Sequence, residues 1–345
     1  MKPQSISLLI SISAGLLIGC GEPAQINIDN TDLLTIIENG TSINGVRLNG
    51  VRLNGVRLNG VRLNGIRLNG VRLNGIRLNG VRLNGSSLIG NRESDNSEVS
   101  GFSLAGAYIS GEGSDRSDIP IYIQSVKYSP IYDLNLYTLM IPSDDGPIPV
   151  CGTYNGEAVP AVPVEGIFDN ETGAYRMSSD QFTLGCVNAS IGKCMLLGYR
   201  PSKIVKECDS DNNCRDQDLG NWLAACTRAV RADYCGDGVA HTRDGTPVNF
   251  WDNLGVQTRD ITKWKIEAEW TTQGAKCIRH TRWLRSDPTS SRTDLDYVKS
   301  QCGQRLASSG DSDCDDDDSN FYSDNGLYTK TKKRKLLRTE SDFNL

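Results

Sequence analysis

The sequence predicts a mainly β, α+β protein in two parts. A short coil of five-residue repeats precedes a disulfide-bridged α+β domain. Three observations carry this. Residues 46–85 read V/I-R-L-N-G eight times. Ten of the eleven cysteines lie beyond the repeat. Between them, short apolar alternations bounded by Gly, Pro and Asp surround one helix-like run at 219–230. The length of 345 residues suits two domains, and a net charge of −5 predicts no partner by itself.

The N-terminus sets the compartment. Met1 and Lys2 give a short positive start. Residues 6–18 are apolar, relieved by serines, and too short for a stable spanning helix. Leu17-Ile18-Gly19-Cys20 then resembles a bacterial lipobox. That resemblance implies a lipoprotein signal peptide over 1–19, acylation of Cys20, and a lipidated linker over 20–40. The alternative is an ordinary signal peptide that contains a cysteine. Acyl chains on one cysteine would anchor the chain at about 0.8 kcal/mol per buried methylene. Position 21 is Gly and not Asp, so the familiar inner-membrane retention signal is missing. The expectation is an outer-membrane lipoprotein of a bacterial envelope, on either the periplasmic or the surface side.

Removing Cys20 leaves Cys151, Cys186, Cys194, Cys208, Cys214, Cys226, Cys235, Cys277, Cys302 and Cys314. An even set in an exported chain reads as up to five bridges. Cys208 with Cys214 is close and polar between, so a local bridge is expected. Cys302 with Cys314 is a second pairing suggested by proximity. The other six cannot be paired from sequence.

The repeat occupies 41–111, with 41–45 and 86–90 keeping the frame and three looser pentads over 97–111. Period five suits neither regular element. On a helix each repeat rotates the leucine by about 140°. On a strand an odd period flips it to the other face. A coil that turns a corner once per repeat suits it, with Leu and Val/Ile inside and Arg, Asn and Gly outside. This resembles the pentapeptide-repeat family, which implies a right-handed four-sided β-helix. Arg stands where that family usually has Asp or Asn, and Val/Ile where Ala is common. Two coils alone are marginal and need caps, which the later pentads could supply. The alternative is a low-complexity stalk. Eight outward arginines could grip acidic lipid, polysaccharide or nucleic acid, but a solvated face is the simpler reading. Pentapeptide proteins that mimic DNA are acidic, so no nucleic-acid partner is expected.

In the domain over 112–303, residues 119–123, 134–139 and 264–270 read as strands. Gln273-Gly274 turns the last into a hairpin partner over 275–283. Residues 190–197 and 295–302 look helical. The densest stretch is 221–255. Asp218 can cap a helix on which Leu219, Trp222, Leu223, Cys226 and Val230 share a face, with Arg228 and Arg231 off it. Gly236-Asp237-Gly238 should stop it near Cys235. Asp244-Gly245, between 239–242 and 247–251, signals a hairpin.

Within that stretch Arg231-Ala232-Asp233-Tyr234-Cys235 resembles the signature of the ADYC domain, a secreted, cysteine-rich, myxobacterial-type family. Pro149-Val150-Cys151-Gly152, Phe182-Thr183-Leu184-Gly185-Cys186, Gly192-Lys193-Cys194, Glu267-Ala268-Glu269-Trp270 and Gly274-Ala275-Lys276-Cys277 fall in family order. The resemblance covers roughly 97–303. It implies a domain type and a compartment, and no reaction.

Chemistry is sparse. Cys235 with His241, oriented by Asp244 or Asp233, could form a nucleophile and base, but a bridged cysteine beside a hairpin is the expectation in an oxidising compartment. There is no C-x-x-C and only His241 and His280 among histidines, which speaks against zinc. No G-x-S-x-G context supports a serine hydrolase. No catalytic residue is assigned. In the tail, 304–345, Asp311, Asp313, Asp315, Asp317 and Asp318 space carboxylates as a hard cation such as Ca²⁺ requires. They resemble the motif of MopE-type metal-binding repeats, in a single copy and without the following Pro-Gly. The alternative is a disordered acidic tail. A basic run over 330–338 follows.

The expected function is a lipid-anchored envelope protein whose bridged domain binds or supports an envelope protein or polysaccharide. The alternative is a secreted enzyme acting on envelope polymers through Glu267 and Glu269. Two residues apart on a strand, those carboxylates share one face, where outward charged pairs are common.

Overall fold

The computed structural model describes residues 36–38, 52–53, 56–57 and 76–341, except 113–117, 144–145, 170–171, 180, 209–212, 243–245, 260–263, 283–293, 304–305, 307–313 and 315–336. Cys20 and the lipobox, most of the repeat, the Asp244-Gly245 turn, and Asp311, Asp313, Asp315, Asp317 and Asp318 therefore lie outside the described residues.

Among the described residues the fold is mainly β, with a larger sheet of eleven strands, a second of five, three two-stranded ribbons and three short α-helices. Two long strands, Asp118–Ser129 and Leu134–Ile141, form the spine of the larger sheet. Alternation along Leu134–Ile141 sends Leu134 and Leu136 to one core, and Tyr137, Leu139 and Ile141 to another. Strand Ala161–Glu165 divides likewise, with Val162 and Val164 on the first core and Ala161 on the second. The end of the repeat joins this sheet. Ile76–Asn84 runs as one strand, antiparallel to Ser87–Arg92 and parallel to Ala107–Glu112. It therefore crosses nearly two repeats without turning a corner.

Helices α1 (Ser190–Leu196) and α2 (Gly220–Arg231) fill the first core. α1 packs on the larger sheet and α2 on the five-stranded one. Cys194–Cys226 staples them together. As foreseen, Leu219, Trp222, Leu223, Cys226 and Val230 are buried. Arg228 and Arg231 depart from the sequence reading. They are 2% and 5% exposed, because a helix covered on more than one side buries its polar face too. Asp218 accepts from Gly220 N (3.0 Å), although Leu219 holds the cap position. α2 also ends earlier than expected. Ala232 adopts the left-handed conformation (φ 50°, ψ 42°), and Asp233 N reaches back to Arg228 O (2.9 Å).

The five-stranded sheet runs Ile36–Glu38, Pro247–Asp252, Leu337–Ser341, Lys265–Thr271, Gly274–Ile278, all antiparallel. The hairpin at Gln273-Gly274 forms as read. Residues 239–242 do not pair with Pro247–Asp252 as the second expected hairpin requires. Pro247–Asp252 has both edges taken by Ile36–Glu38 and Leu337–Ser341, so residues 239–242 find no edge to pair with. The C-terminal segment also differs from a tail. Leu337–Ser341 is a fully buried inner strand.

Five bridges join Cys151–Cys186, Cys194–Cys226, Cys208–Cys214, Cys235–Cys302 and Cys277–Cys314. The local Cys208–Cys214 bridge closes the hairpin of Ile204–Cys208 with Cys214–Asp218. The expected Cys302–Cys314 pair is not made. Helix α3 (Asp294–Gln301) delivers Cys302 to the end of α2 instead, and Cys314 reaches the strand holding Cys277.

Candidate functional site

The left-handed turn at Ala232 folds the next three residues in three directions. Asp233 turns back on its own helix. Its Oδ2 accepts from Arg228 Nη1 and from Gly238 N (3.1 Å), and Arg231 Nη1 stands 3.7 Å away. Arg228 donates onward to the carbonyls of Thr172 and Thr272, tying α2 to two loops. Burial holds the Asp233 carboxyl above its usual range, against the pull of the two guanidiniums.

Tyr234 goes into the sheet. Its ring lies nearly parallel to that of Trp270, with centroids 5.2 Å apart. Its hydroxyl donates to Glu267 Oε1 (2.8 Å) and accepts from Arg282 N (2.9 Å). Burial and the Glu267 charge hold that phenol well above its ordinary value, so it remains a donor. Arg282 completes the set. It makes two 3.0 Å bonds to Glu267 and donates to the carbonyls of Ala229 (2.8 Å) and Val230 (3.1 Å). It thus neutralises a buried carboxylate and caps the C-terminal carbonyls of α2 at once. Cys235 closes the turn by bridging to Cys302. Gly236 (φ +70°) passes so close to Gln273 that a Cβ there would meet its carbonyl oxygen at 1.9 Å.

Glu269 has its own partner. Arg338 Nε donates to Glu269 Oε1 (2.8 Å), and Lys276 Nζ stands 3.6 Å away. Beside it, Trp270 Nε1 donates to Thr339 Oγ1 (2.9 Å). Glu267 and Glu269 are therefore not an outward pair. They are 0% and 2% exposed. The ladder to Leu337–Ser341 steps from Ile266 opposite Glu340 to Ala268 opposite Thr339, so Glu267 sits in a bulge that breaks strict alternation. Each carboxylate faces an arginine from a distant segment, and neither lies open to a substrate.

The structure brings Arg231, Asp233, Tyr234 and Cys235 together with Glu267. His241 stands 5.8 Å from the Tyr234 ring, and its backbone N–H bonds Arg231 O. The thiolate that a Cys235–His241 mechanism requires is consumed by the bridge to Cys302. Sequence reading missed Arg228, Arg282 and Arg338. The only local signal was a strand carrying two glutamates beside a tryptophan, which calls for matching cations if it is buried.

Another buried carboxylate, Asp252, lies apart from this lattice. Asp252 accepts from Tyr199 Oη (2.8 Å), Leu254 N (2.7 Å), Val256 N (3.2 Å) and Gln257 N (2.7 Å). Burial pushes its carboxyl up, with the hydrogen bonds opposing, and pushes the Tyr199 phenol up further. Of the metal-motif residues, only Cys314 in their midst is described. It bridges to Cys277, and its carbonyl accepts from Arg279 Nε (2.8 Å). Among the described residues no cluster of three or more His, Cys, Asp or Glu is poised to hold a metal. Among them, too, no helix is long and apolar enough to cross a membrane.

The ADYC domain profile matches residues 101–284, and pentapeptide repeats match in eight copies over 47–85. No curated protein and no solved structure matches the chain.

Proposed function

The chain belongs to the ADYC domain family, and on that premise we propose that it is an extracytoplasmic, lipid-anchored module whose locked domain presents a binding surface at the cell envelope. One observation carries the reading. All ten cysteines after Cys20 are consumed in five bridges, which suits an oxidising compartment. The family motif points the same way. Its side chains hold a helix, a sheet and a bridge together.

In this reading acylated Cys20 supplies the membrane contact, at the outer membrane. The pentapeptide match over 47–85 supports a short β-helix within the repeat. The partner is an envelope protein or polysaccharide. Asp311, Asp313, Asp315, Asp317 and Asp318 would hold Ca²⁺. Hard oxygen donors at alternate positions are the set that ion takes, and Cys314 fixes the middle of the segment to the sheet. The reading as a polymer-cleaving enzyme through Glu267 and Glu269 has no support from their placement, since each is sealed against an arginine.

Non-reducing peptide mapping of the exported protein, with free thiols alkylated first, tests this together with membrane fractionation of a Cys20→Ser variant. Five bridges, an acyl group on Cys20, and release of the variant into the soluble fraction are expected. Free Cys235, or a chain left in the cytosol with reduced thiols, would overturn it.

A further inference from the structure

Away from the Tyr234 lattice, four segments converge on a cleft of about 280 Å³. Leu196 from α1, Val205 from the bridged hairpin, and Leu254 and Val256 from the loop after Pro247–Asp252 give it an aliphatic floor. Tyr132, in the turn between the two long strands, closes one side. Arg200 and Lys203 stand at its edge, and no carboxylate lines it.

The cleft is built rather than incidental. Residues 254–257 wrap around the buried Asp252 carboxylate, which takes three of their N–H groups and the Tyr199 hydroxyl. Gln257 is itself 7% exposed, and its Nε2 donates to Leu197 O (2.7 Å), tying that loop to the end of α1. Gly198 (φ +96°) lets the turn after α1 approach closely, since a Cβ there would lie 3.2 Å from Val256 Cγ1. A wall held at so many points is preorganised, which lowers the cost of ordering on binding.

Both charged side chains in its lining are cations. Arg200 is fixed by the carbonyls of Tyr132 and Asp133 and lies 3.7 Å from the Asp133 carboxylate, which is itself 77% exposed. Lys203 is exposed and has no ion pair among the described residues.

We propose that this cleft binds a small carboxylate amphiphile. The aliphatic tail lies on the floor of Leu196, Leu254 and Val256, and the carboxylate pairs with Lys203 in the positive field of Arg200. An apolar body with one anion is what an aliphatic floor with cations at one edge selects. The proposal deepens the reading of the domain as a binding module and rests on it.

Calorimetric titration of the exported full chain with octanoate, octanol and octylamine tests it. Octanoate should bind saturably at one site, about ten-fold or more tighter than octanol, with no saturation by octylamine. Lys203→Glu, a surface change, should weaken octanoate about ten-fold while thermal unfolding stays unchanged. Val256→Trp should fill the cleft and abolish binding. If it does not fold, Lys203→Glu alone decides. Absence of saturable octanoate binding, equal affinities for octanoate and octanol, or an unaffected Lys203→Glu variant would overturn the proposal. Bridge mapping and fractionation do not depend on the cleft. If they succeed while octanoate fails, only the cleft assignment falls.

Discussion

Glu267→Gln is the sharpest probe of the lattice. The wild-type carboxylate is fully buried and receives three hydrogen bonds, two from Arg282 at 3.0 Å and one from Tyr234 at 2.8 Å. Glutamine keeps the shape but places an NH₂ where an acceptor stood, facing donors. Arg282 is left charged at 0% side-chain exposure. Removing one partner of a buried pair costs about 3–5 kcal/mol. Arg282→Met should cost at least as much, since the guanidinium's bonds to the carbonyls of Ala229 and Val230 also go, at about 1 kcal/mol each. The double variant leaves no uncompensated charge. Its cost should fall short of the sum of the singles by about 3 kcal/mol, the upper end for groups in contact. Urea unfolding with the bridges intact, followed by tryptophan fluorescence, measures all three. A Glu267→Gln cost under about 1 kcal/mol, or strict additivity, would refute the view that this pair locks α2 to the sheet.

Two glycines with similar backbone angles should behave differently. Gly255→Ala (φ +71°) meets nothing within 4 Å and should cost only the left-handed penalty of about 1–2 kcal/mol. Gly236→Ala drives a methyl into Gln273 O and should block folding, read as loss of exported protein. Asp252 should leave a pH signature. Its folded pKa is raised above 3.8 by burial, so its contribution is whole below that value and is lost as pH rises through the folded one. Urea midpoints against pH should therefore fall through that window in the wild type and stay flatter in Asp252→Asn. Among the bridges, replacing Cys208 and Cys214 (separation 6) by serine should cost about 2 kcal/mol, and replacing Cys235 and Cys302 (separation 67) about 4 kcal/mol, by loop-closure entropy. Equal denaturant midpoints for the two double variants would count against that ordering.

The apolar face of α2 was legible because five side chains recur at helical spacing. The alternating strands around Ile121 and Trp270 were legible for the same kind of reason. The burial of Arg228 and Arg231 was not. It depends on what covers the rest of the helix, and nothing local to residues 220–231 records that. Leu337–Ser341 reads L-R-T-E-S after a run of lysines, which is how a solvated tail reads. Its burial becomes sensible only when Glu269 and Trp270, some seventy residues earlier, supply partners for Arg338 and Thr339. The motif itself was found by resemblance, but its role was hidden. Ala232 holds a conformation usually given to glycine, and only the structure reveals that the chain must reverse there to deliver Asp233 and Tyr234 to opposite sides.

The last two bridges interleave: Cys235 pairs across Cys277, and Cys277 across Cys302. On the proposed reading as an extracytoplasmic protein, the thiols emerge one after another during export. An oxidase joining neighbours as they appear would couple Cys235 to Cys277 and later Cys302 to Cys314, two plausible bonds that are both wrong. Reaching the native arrangement then requires exchange through mixed disulfides, a slow process without a catalyst. The chain should thus be a client of a thiol isomerase, and its yield in a foreign host should follow that enzyme's supply more closely than the strength of the promoter.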